Sequence, residues 1–332
     1  MSIPAAAYPR LEQIPFEKHT RDRYQPPTFS SIMHVFVTGG TGFVGRYVVD
    51  ALLKAGNTVR CLTRKGTEDR LPDGVETVMG DVLEPDTLPA ALQGMDAIIH
   101  LVGIIEERPS NGITFDALHR QATENLIIAA KGANVSTWIQ MSANGARKNG
   151  VSAYQTSKWH AEEAVRQAGF SRWTIFRPSL VFGRPAPGQP EFATQLVSDL
   201  IKPLPIWPIF GDGTFAMQPI HVEDVARAFV GALDHADAPG KTWCLSGPEA
   251  IPFKEILRRI AGGAGVRQKP MIPHPLWLVR PMVSLLGGII LPISSDQLEM
   301  LVEGNTCDGS AATALFSLSM RPFNEENLAY LR

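Results

Sequence analysis

Three glycines at three-residue intervals, Gly39, Gly42 and Gly45, lie between a run of β-branched residues and an amphipathic run. The first glycine permits a tight turn, the second lets a phosphate approach backbone N–H groups, and the third lets a helix pack closely on a strand. The N-terminus of such a helix favours negative charge. The spacing therefore predicts a strand–turn–helix unit that binds a diphosphate, with an ordinary strand-to-helix turn as the alternative.

Short β-branched runs alternate with helical runs from Met33 onward, which is typical of βαβ units and a parallel sheet. Strands are predicted at His34–Thr38, Thr58–Thr63, Val75–Met79, Ala97–Leu101, Thr137–Ser142 and Trp173–Arg177. Helices are predicted near Val44–Ala55, Asp86–Leu92, Phe115–Lys131, Tyr154–Gln167, Val222–Ala236 and Phe253–Ala264. The predicted fold class is α/β, a Rossmann-type doubly wound parallel sheet with a smaller, mostly helical C-terminal lobe.

Three regions are predicted along the chain. Residues 1–32 combine several prolines with mixed charges and are expected to form a weakly ordered tail. Residues 33–182 are expected to form the dinucleotide-binding domain. Prolines become frequent after Arg177, so residues 183–332 are predicted to build a substrate or partner lobe, interleaved with late elements of the Rossmann sheet.

A nicotinamide dinucleotide is the predicted ligand of the glycine turn, whose contact residues would be Gly39, Thr41, Gly42, Phe43, Val44 and Gly45. The second strand ends in Thr63 and is followed by Arg64, at the place where an NAD enzyme offers an acidic residue to the ribose hydroxyls. Because Arg64 could grip a 2′-phosphate, the preferred cofactor is predicted to be NADP(H) rather than NAD(H). A solvated loop cation is the alternative.

Asp81 and Val82 follow the third strand and are assigned to the adenosine end of the site. A carboxylate there could accept a hydrogen bond from the adenine amino group. The signal is weak by itself and gains weight from its place after a strand of the sheet.

A phenol and an ammonium group are four residues apart at Tyr154 and Lys158, hence on one face of a helix. Tyrosine has an ordinary pKa of about 10, and a nearby lysine together with an oxidised nicotinamide is expected to lower it for proton transfer. Ser142 ends the fifth strand, where its hydroxyl could bond a substrate carbonyl. We therefore predict Ser142, Tyr154 and Lys158 as catalytic residues, although such a tyrosine–lysine spacing elsewhere would be an ordinary helix surface pair.

Composition excludes several other classes of protein. A net charge of −2 gives no support to nucleic-acid binding. Three widely spaced cysteines show no metal-ligand spacing, so no metal is expected and a reducing, cytoplasmic location fits. The apolar run Leu276–Leu291 is interrupted by Arg280 and Pro281 and is too short to span a bilayer. It is expected either to present an apolar surface to a lipophilic ligand, membrane or partner, or to be a buried helix.

Taken together, these motifs resemble the short-chain dehydrogenase/reductases of the extended or atypical kind, which are NAD-dependent epimerase/dehydratase-like proteins. The resemblance covers nearly everything after Met33. Within that family the chain is most similar to proteins resembling the nucleotide-binding accessory subunit of respiratory complex I. The resemblance implies that Lys158 also bonds the nicotinamide ribose, and that Leu101, Val102 and Pro178 line the nicotinamide half of the cleft.

Three functions remain open at this point. The leading one is an NADP(H)-dependent oxidoreductase that acts on a small or lipophilic carbonyl or alcohol. The second is a non-catalytic NADPH-holding accessory or assembly protein of a respiratory or quinone-related membrane complex, which would lie peripherally at the inner membrane. The third, a sugar-nucleotide epimerase or dehydratase, lacks a concentrated set of Arg and Lys residues between Gly183 and Pro208 for a second diphosphate.

Overall fold

A computed structural model of the chain describes residues 32–189, 191–286 and 293–332. The predicted N-terminal tail lies outside the described residues, apart from Ile32. The strands are β1 His34–Thr38, β2 Thr58–Thr63, β3 Val75–Met79, β4 Ala97–His100, β5 Thr137–Met141, β6 Arg172–Pro178, β7 Val181–Phe182, β8 Trp207–Phe210, β9 Ala216–Met217, β10 Ile220–His221, β11 Lys241–Leu245, β12 Ile251–Pro252 and β13 Met271–His274. The helices are α1 Phe43–Lys54, α2 Leu88–Ala91, α3 Ala122–Gly132, α4 Ala153–Gln167, α5 Phe192–Leu196, α6 Val222–Gly231, α7 Phe253–Gly263, α8 Leu276–Leu286, α9 Ser295–Glu303 and α10 Ser310–Leu315.

Seven strands form one parallel sheet in the order β11-β6-β5-β4-β1-β2-β3. The central strands β1 and β4 are buried except at His34, because helices cover both faces of the sheet. Helices α1 and α6 pack on one face, and α2, α3 and α4 pack on the other. The strand order reverses between β1 and β4, and ligands of open α/β sheets bind at such a switch point. The predicted Rossmann-type fold class is confirmed.

Predicted element boundaries agree closely with the structure, with two informative differences. The predicted helix Phe115–Lys131 begins as a π-helical segment, Asp116–Gln121, before α3. Helix α6 ends at Gly231 instead of continuing to Ala236. Glycine is a poor helix former, and here it lets Phe316 pack directly against the backbone, since an added Cβ would lie 3.1 Å from that ring.

The chain after β6 contributes to two separate parts of the structure. Strand β11 and helices α6 and α10 return to the large sheet, whereas α5, α7 and the short ribbons β8/β13 and β9/β12 surround a separate apolar cluster. Helices α8 and α9 form a hairpin with its own small apolar contact among Val279, Val283 and Leu298. Within the described ranges, no helix has both the length and the apolar character needed to cross a membrane.

Candidate functional site

The glycine turn after β1 has the geometry that a diphosphate requires. Gly39 has a φ of 76°, which only glycine adopts easily, and a side chain at Gly45 would overlap the carbonyl oxygen of Gly39. Gly42 is the N-cap of α1 and has no side chain with which to cap the first N–H groups of the helix. Those N–H groups and the helix dipole are therefore available to an anion, and the residues present fit a dinucleotide.

The loop that follows β4 connects this turn to the predicted catalytic pair. A Cβ on Gly39 would lie 3.0 Å from the carbonyl carbon of Leu101 and 3.1 Å from the nitrogen of Val102. At the other end of the loop, a Cβ on Gly103 would lie 2.7 Å from Nζ of Lys158. The glycine turn, residues 101–103 and Lys158 are thus in direct succession along the carboxyl edge of the sheet.

Tyr154 and Lys158 lie one turn apart on α4, whose N-cap Ser152 accepts a hydrogen bond from the N–H of Gln155. Burial lowers the pKa of Lys158 to about 8, and the charge of Glu162 partly opposes that shift. Burial also raises the pKa of Tyr154 to about 12. The expected lowering of the Tyr154 pKa required an oxidised nicotinamide as well as Lys158, and it stays a prediction for the cofactor complex.

Ser142 lies in a buried ionic network. Its hydroxyl donates to Oε1 of Glu162 at 2.5 Å, and the same carboxylate accepts from Arg177 at 2.7 and 2.6 Å and from Arg166 at 2.7 Å. Glu162 is two helical turns beyond Tyr154. The single hydroxyl hydrogen of Ser142 is thus used by Glu162, and donation to a substrate carbonyl would require that hydrogen bond to break.

His119 is a site residue that the sequence motifs above did not include. Its ring lies 5.4 Å from the ring of Tyr154 between centroids. Nε2 accepts from the N–H of Ile104 at 3.2 Å, so Nδ1 carries the proton and donates to Ser157 at 2.8 Å. Burial lowers the pKa of His119 to about 2, which keeps the ring neutral. The π-helical segment brings this histidine between the loop after β4 and α4.

The adenosine end of the predicted site is partly exposed. Arg64 is exposed just beyond β2, and its carbonyl accepts from the N–H of Thr67. Asp81 accepts from the N–H of Leu83 through Oδ1 at 2.9 Å, so its carboxylate already orders the turn after β3. Val82 is buried in the core, and its carbonyl accepts from Asn125. The side chain of Arg64 is therefore accessible to a ligand, whereas most of the Val82 side chain is not.

The segment after β7 contacts the glycine turn and α1 through two hydrogen bonds. The side chain of Gln189 donates to the carbonyl of Thr41 at 2.6 Å, and the hydroxyl of Tyr47 donates to the carbonyl of Arg184 at 2.9 Å. Phe43 packs edge-on against Tyr47 with centroids 6.1 Å apart.

Two further predicted residues, Val44 and Pro178, belong to the framework around the cleft. Val44 packs against the core at the start of α1. Pro178 pairs with Leu245 of β11, and its carbonyl accepts from the N–H of Asn144. Its backbone thereby joins the ends of β5, β6 and β11.

The fold and this arrangement define a Rossmann-type dinucleotide-binding protein with a tyrosine–lysine pair at the cofactor cleft. Residues 35–245 match the model of the NAD dependent epimerase/dehydratase family, and the chain belongs to that family.

Two proteins with sequences similar to this chain have names that refer to different functions. Over 286 residues the chain is 31% identical to NADH dehydrogenase (ubiquinone) 1 alpha subcomplex subunit 9, mitochondrial, of Arabidopsis thaliana, covering 81% of this chain and 68% of that protein. Over 268 residues it is 33% identical to the ceramide reductase of Caulobacter vibrioides, covering 77% of each chain.

Solved structures support the fold. UDP-glucuronic acid 4-epimerase from Bacillus cereus, in complex with UDP-glucuronic acid and NAD, matches with a TM-score of 0.68 and 22% identity over 90% of this chain and 98% of that one. The dTDP-glucose 4,6-dehydratase DesIV from Streptomyces venezuelae matches with a TM-score of 0.68 and 19% identity over 90% and 95% of the two chains. At this identity the likeness is one of fold alone.

Proposed function

We propose that this protein is an NADP(H)-dependent oxidoreductase that reduces a small or lipophilic carbonyl compound or oxidises the corresponding alcohol. The observation that carries the proposal is the unbroken succession from the glycine turn through residues 101–103 to Lys158 and Tyr154. The glycine turn would hold the diphosphate, and Leu101, Val102 and Lys158 would hold the nicotinamide half.

A bound nicotinamide dinucleotide supplies or accepts a hydride, and the chain supplies the proton. With a pKa of about 12, Tyr154 keeps its proton at neutral pH and can give it from Oη to a carbonyl oxygen. Lys158, with a pKa of about 8, is mostly charged at neutral pH and favours the phenolate that is left behind. His119 and Phe115 pack against the phenol ring and hold it in place.

Preference for NADP(H) over NAD(H) is expected to depend on Arg64. Losing one charge-assisted contact with the 2′-phosphate costs roughly 1.5–3 kcal/mol, so Arg64→Ala should weaken NADPH binding by about ten- to hundredfold. NADH binding should stay near its parental value. Fluorescence titrations with both cofactors measure the two dissociation constants.

Lys131→Ala, an exposed cation on α3, is the matched control and should change neither constant. Equal affinity of the parent for the two cofactors, or unchanged NADPH affinity of Arg64→Ala, would contradict the cofactor proposal.

The choice of a lipophilic substrate draws support from the ceramide reductase among the similar proteins. The second candidate is a cofactor-holding accessory protein, located in the cytoplasm at the inner membrane. The similarity to the complex I subunit supports this candidate. NADPH consumption with short and long-chain ketones and aldehydes separates the two candidates. Tight NADPH binding without consumption of NADPH across that panel would favour the accessory protein.

A further inference from the structure

We infer that Cys244 and Cys307 form a redox-active dithiol, which a low-molecular-weight disulfide oxidises to an intramolecular disulfide bond. Cys244 lies in β11, whereas Cys307 lies in the segment between α9 and α10. Their thiols share a hydrogen bond, although the two residues are far apart in the sequence. Both residues are partly exposed, whereas Cys61 is buried in the core. A reagent in solution can therefore reach this pair of thiols.

Backbone contacts hold the segment that carries Cys307 against the end of β11. The N–H of Cys307 donates to Oε1 of Gln218, in the link between β9 and β10, at 3.2 Å. Gly309 packs so closely on β11 that a Cβ there would lie 2.9 Å from the nitrogen of Ser246 and 3.5 Å from the carbonyl oxygen of Cys244. The two cysteines are thus brought together by the packing of their backbone segments.

The two thiols differ in chemical character because of their neighbours. Cys244 of β11 pairs in register with Arg177 of β6, and paired residues of adjacent strands share one face of a sheet. The hydrogen bond from Cys307 and the charge of Arg177 lower the pKa of Cys244 to about 7, against the effect of partial burial. The same hydrogen bond raises the pKa of Cys307. Because the thiolate is the nucleophile, Cys244 is the attacking thiol and Cys307 the resolving thiol.

The oxidation proceeds by two successive thiol–disulfide exchanges. The Cys244 thiolate attacks one sulfur of the small disulfide, breaks its S–S bond, forms a mixed disulfide and releases one small thiolate. Cys307 then loses its proton to water and attacks the sulfur of Cys244, which releases the second small thiolate. Both released thiolates take up protons from water. The two cysteines are oxidised to one disulfide, and the small disulfide is reduced to two thiols.

A disulfide at this place would join β11 covalently to a segment that contacts the predicted catalytic site. Asn144, two residues beyond Ser142, donates to Oδ1 of Asn305 at 2.8 Å and to the carbonyl of Thr306 at 3.1 Å. Thr306 immediately precedes Cys307 in the chain. Oxidation would therefore fix the segment that holds the turn after Ser142.

Incubation of the native full chain with glutathione disulfide, followed by intact-mass measurement and non-reducing peptide mapping, tests the inference. The parent should lose two hydrogens and yield a peptide in which Cys244 is linked to Cys307. The rate should rise up to about pH 7 and level off above it, since Cys244 is then mostly a thiolate. Cys307→Ser should stop at a glutathione adduct on Cys244. Cys244→Ser should react about tenfold more slowly than the parent.

Cys61→Ala is the matched control, because it removes the buried thiol, and it should form the crosslink at the parental rate. In the parent, Cys61 should stay reduced, which shows that the exchange takes place in the folded protein. A parent that stays fully reduced, or that stops at a glutathione adduct, would overturn the inference. A disulfide between two chains instead of within one would also overturn it. The experiment uses neither NADPH nor a carbonyl substrate, so its outcome is independent of the proposed reduction.

Discussion

Replacing Tyr154 by phenylalanine is expected to lower turnover by about 10²–10⁴-fold, the usual contribution of a positioned acid or base, while NADPH binds nearly as tightly as before. The substitution removes only the hydroxyl. The ring keeps its contacts with Phe115 and His119, and neither the glycine turn nor Arg64 is touched. NADPH consumption with a carbonyl substrate measures turnover, and a fluorescence titration measures binding.

Tyr330→Phe provides the comparison, because it removes a tyrosine hydroxyl from a side chain that packs on the apolar cluster around α5 and α7. It should leave turnover unchanged. Parental turnover by Tyr154→Phe on a confirmed substrate would show that the proton comes from another group. Loss of NADPH binding in that variant would show instead that the phenol holds the cofactor.

Replacing Lys158 by methionine should weaken NADPH binding and at the same time stabilise the cofactor-free protein. The ammonium group is almost completely buried, and its pKa falls from 10.5 to about 8. Between these two values the unfolded chain binds more protons than the folded one, so stability rises as pH increases through that window. At neutral pH the buried charge is therefore a net cost, and removing it should raise the free energy of unfolding by roughly 1–3 kcal/mol.

The same substitution is expected to have the opposite effect on cofactor binding. Loss of a charged hydrogen-bond donor should weaken NADPH binding by about ten- to hundredfold. In the parent, NADPH affinity should decline as pH rises through about 8, since Lys158 then loses its charge, and the variant should lack this decline. Urea unfolding and NADPH titrations across pH measure both effects.

Lys131→Met replaces an exposed lysine and should alter neither stability nor affinity. A Lys158→Met protein that is less stable than the parent at neutral pH, and that binds NADPH equally well, would contradict the assigned burial and the assigned role together.

Local patterns in the sequence were enough to predict most of the framework. The β-branched runs, the glycine spacing and the four-residue separation of Tyr154 and Lys158 depend on conformations set within a few residues. The structure accordingly has β1, β2 and β3 at the predicted residues and places the tyrosine and the lysine one turn apart on α4. The alternation of β-branched and helical runs also predicted the parallel sheet.

Contacts between distant residues were decided only by the tertiary structure. Ser142 looked free to meet a substrate until the fold brought Glu162 to its hydroxyl. Cys244 and Cys307, widely separated in the chain, meet as hydrogen-bonded thiols, and that bond together with Arg177 lowers the pKa of Cys244 to about 7. The same hydrogen bond raises the pKa of Cys307, so the two thiols are not equivalent.

The pKa of Tyr154 without a cofactor was likewise decided by the tertiary structure. A sequence shows that a lysine is one helical turn away, and this neighbour lowers the pKa of a phenol. It does not show how much water the surrounding elements remove, and desolvation by burial raises the pKa to about 12. Spacing along the chain thus determined which groups are neighbours on one helix, whereas the packing of distant segments determined their solvation, their partners and their charge.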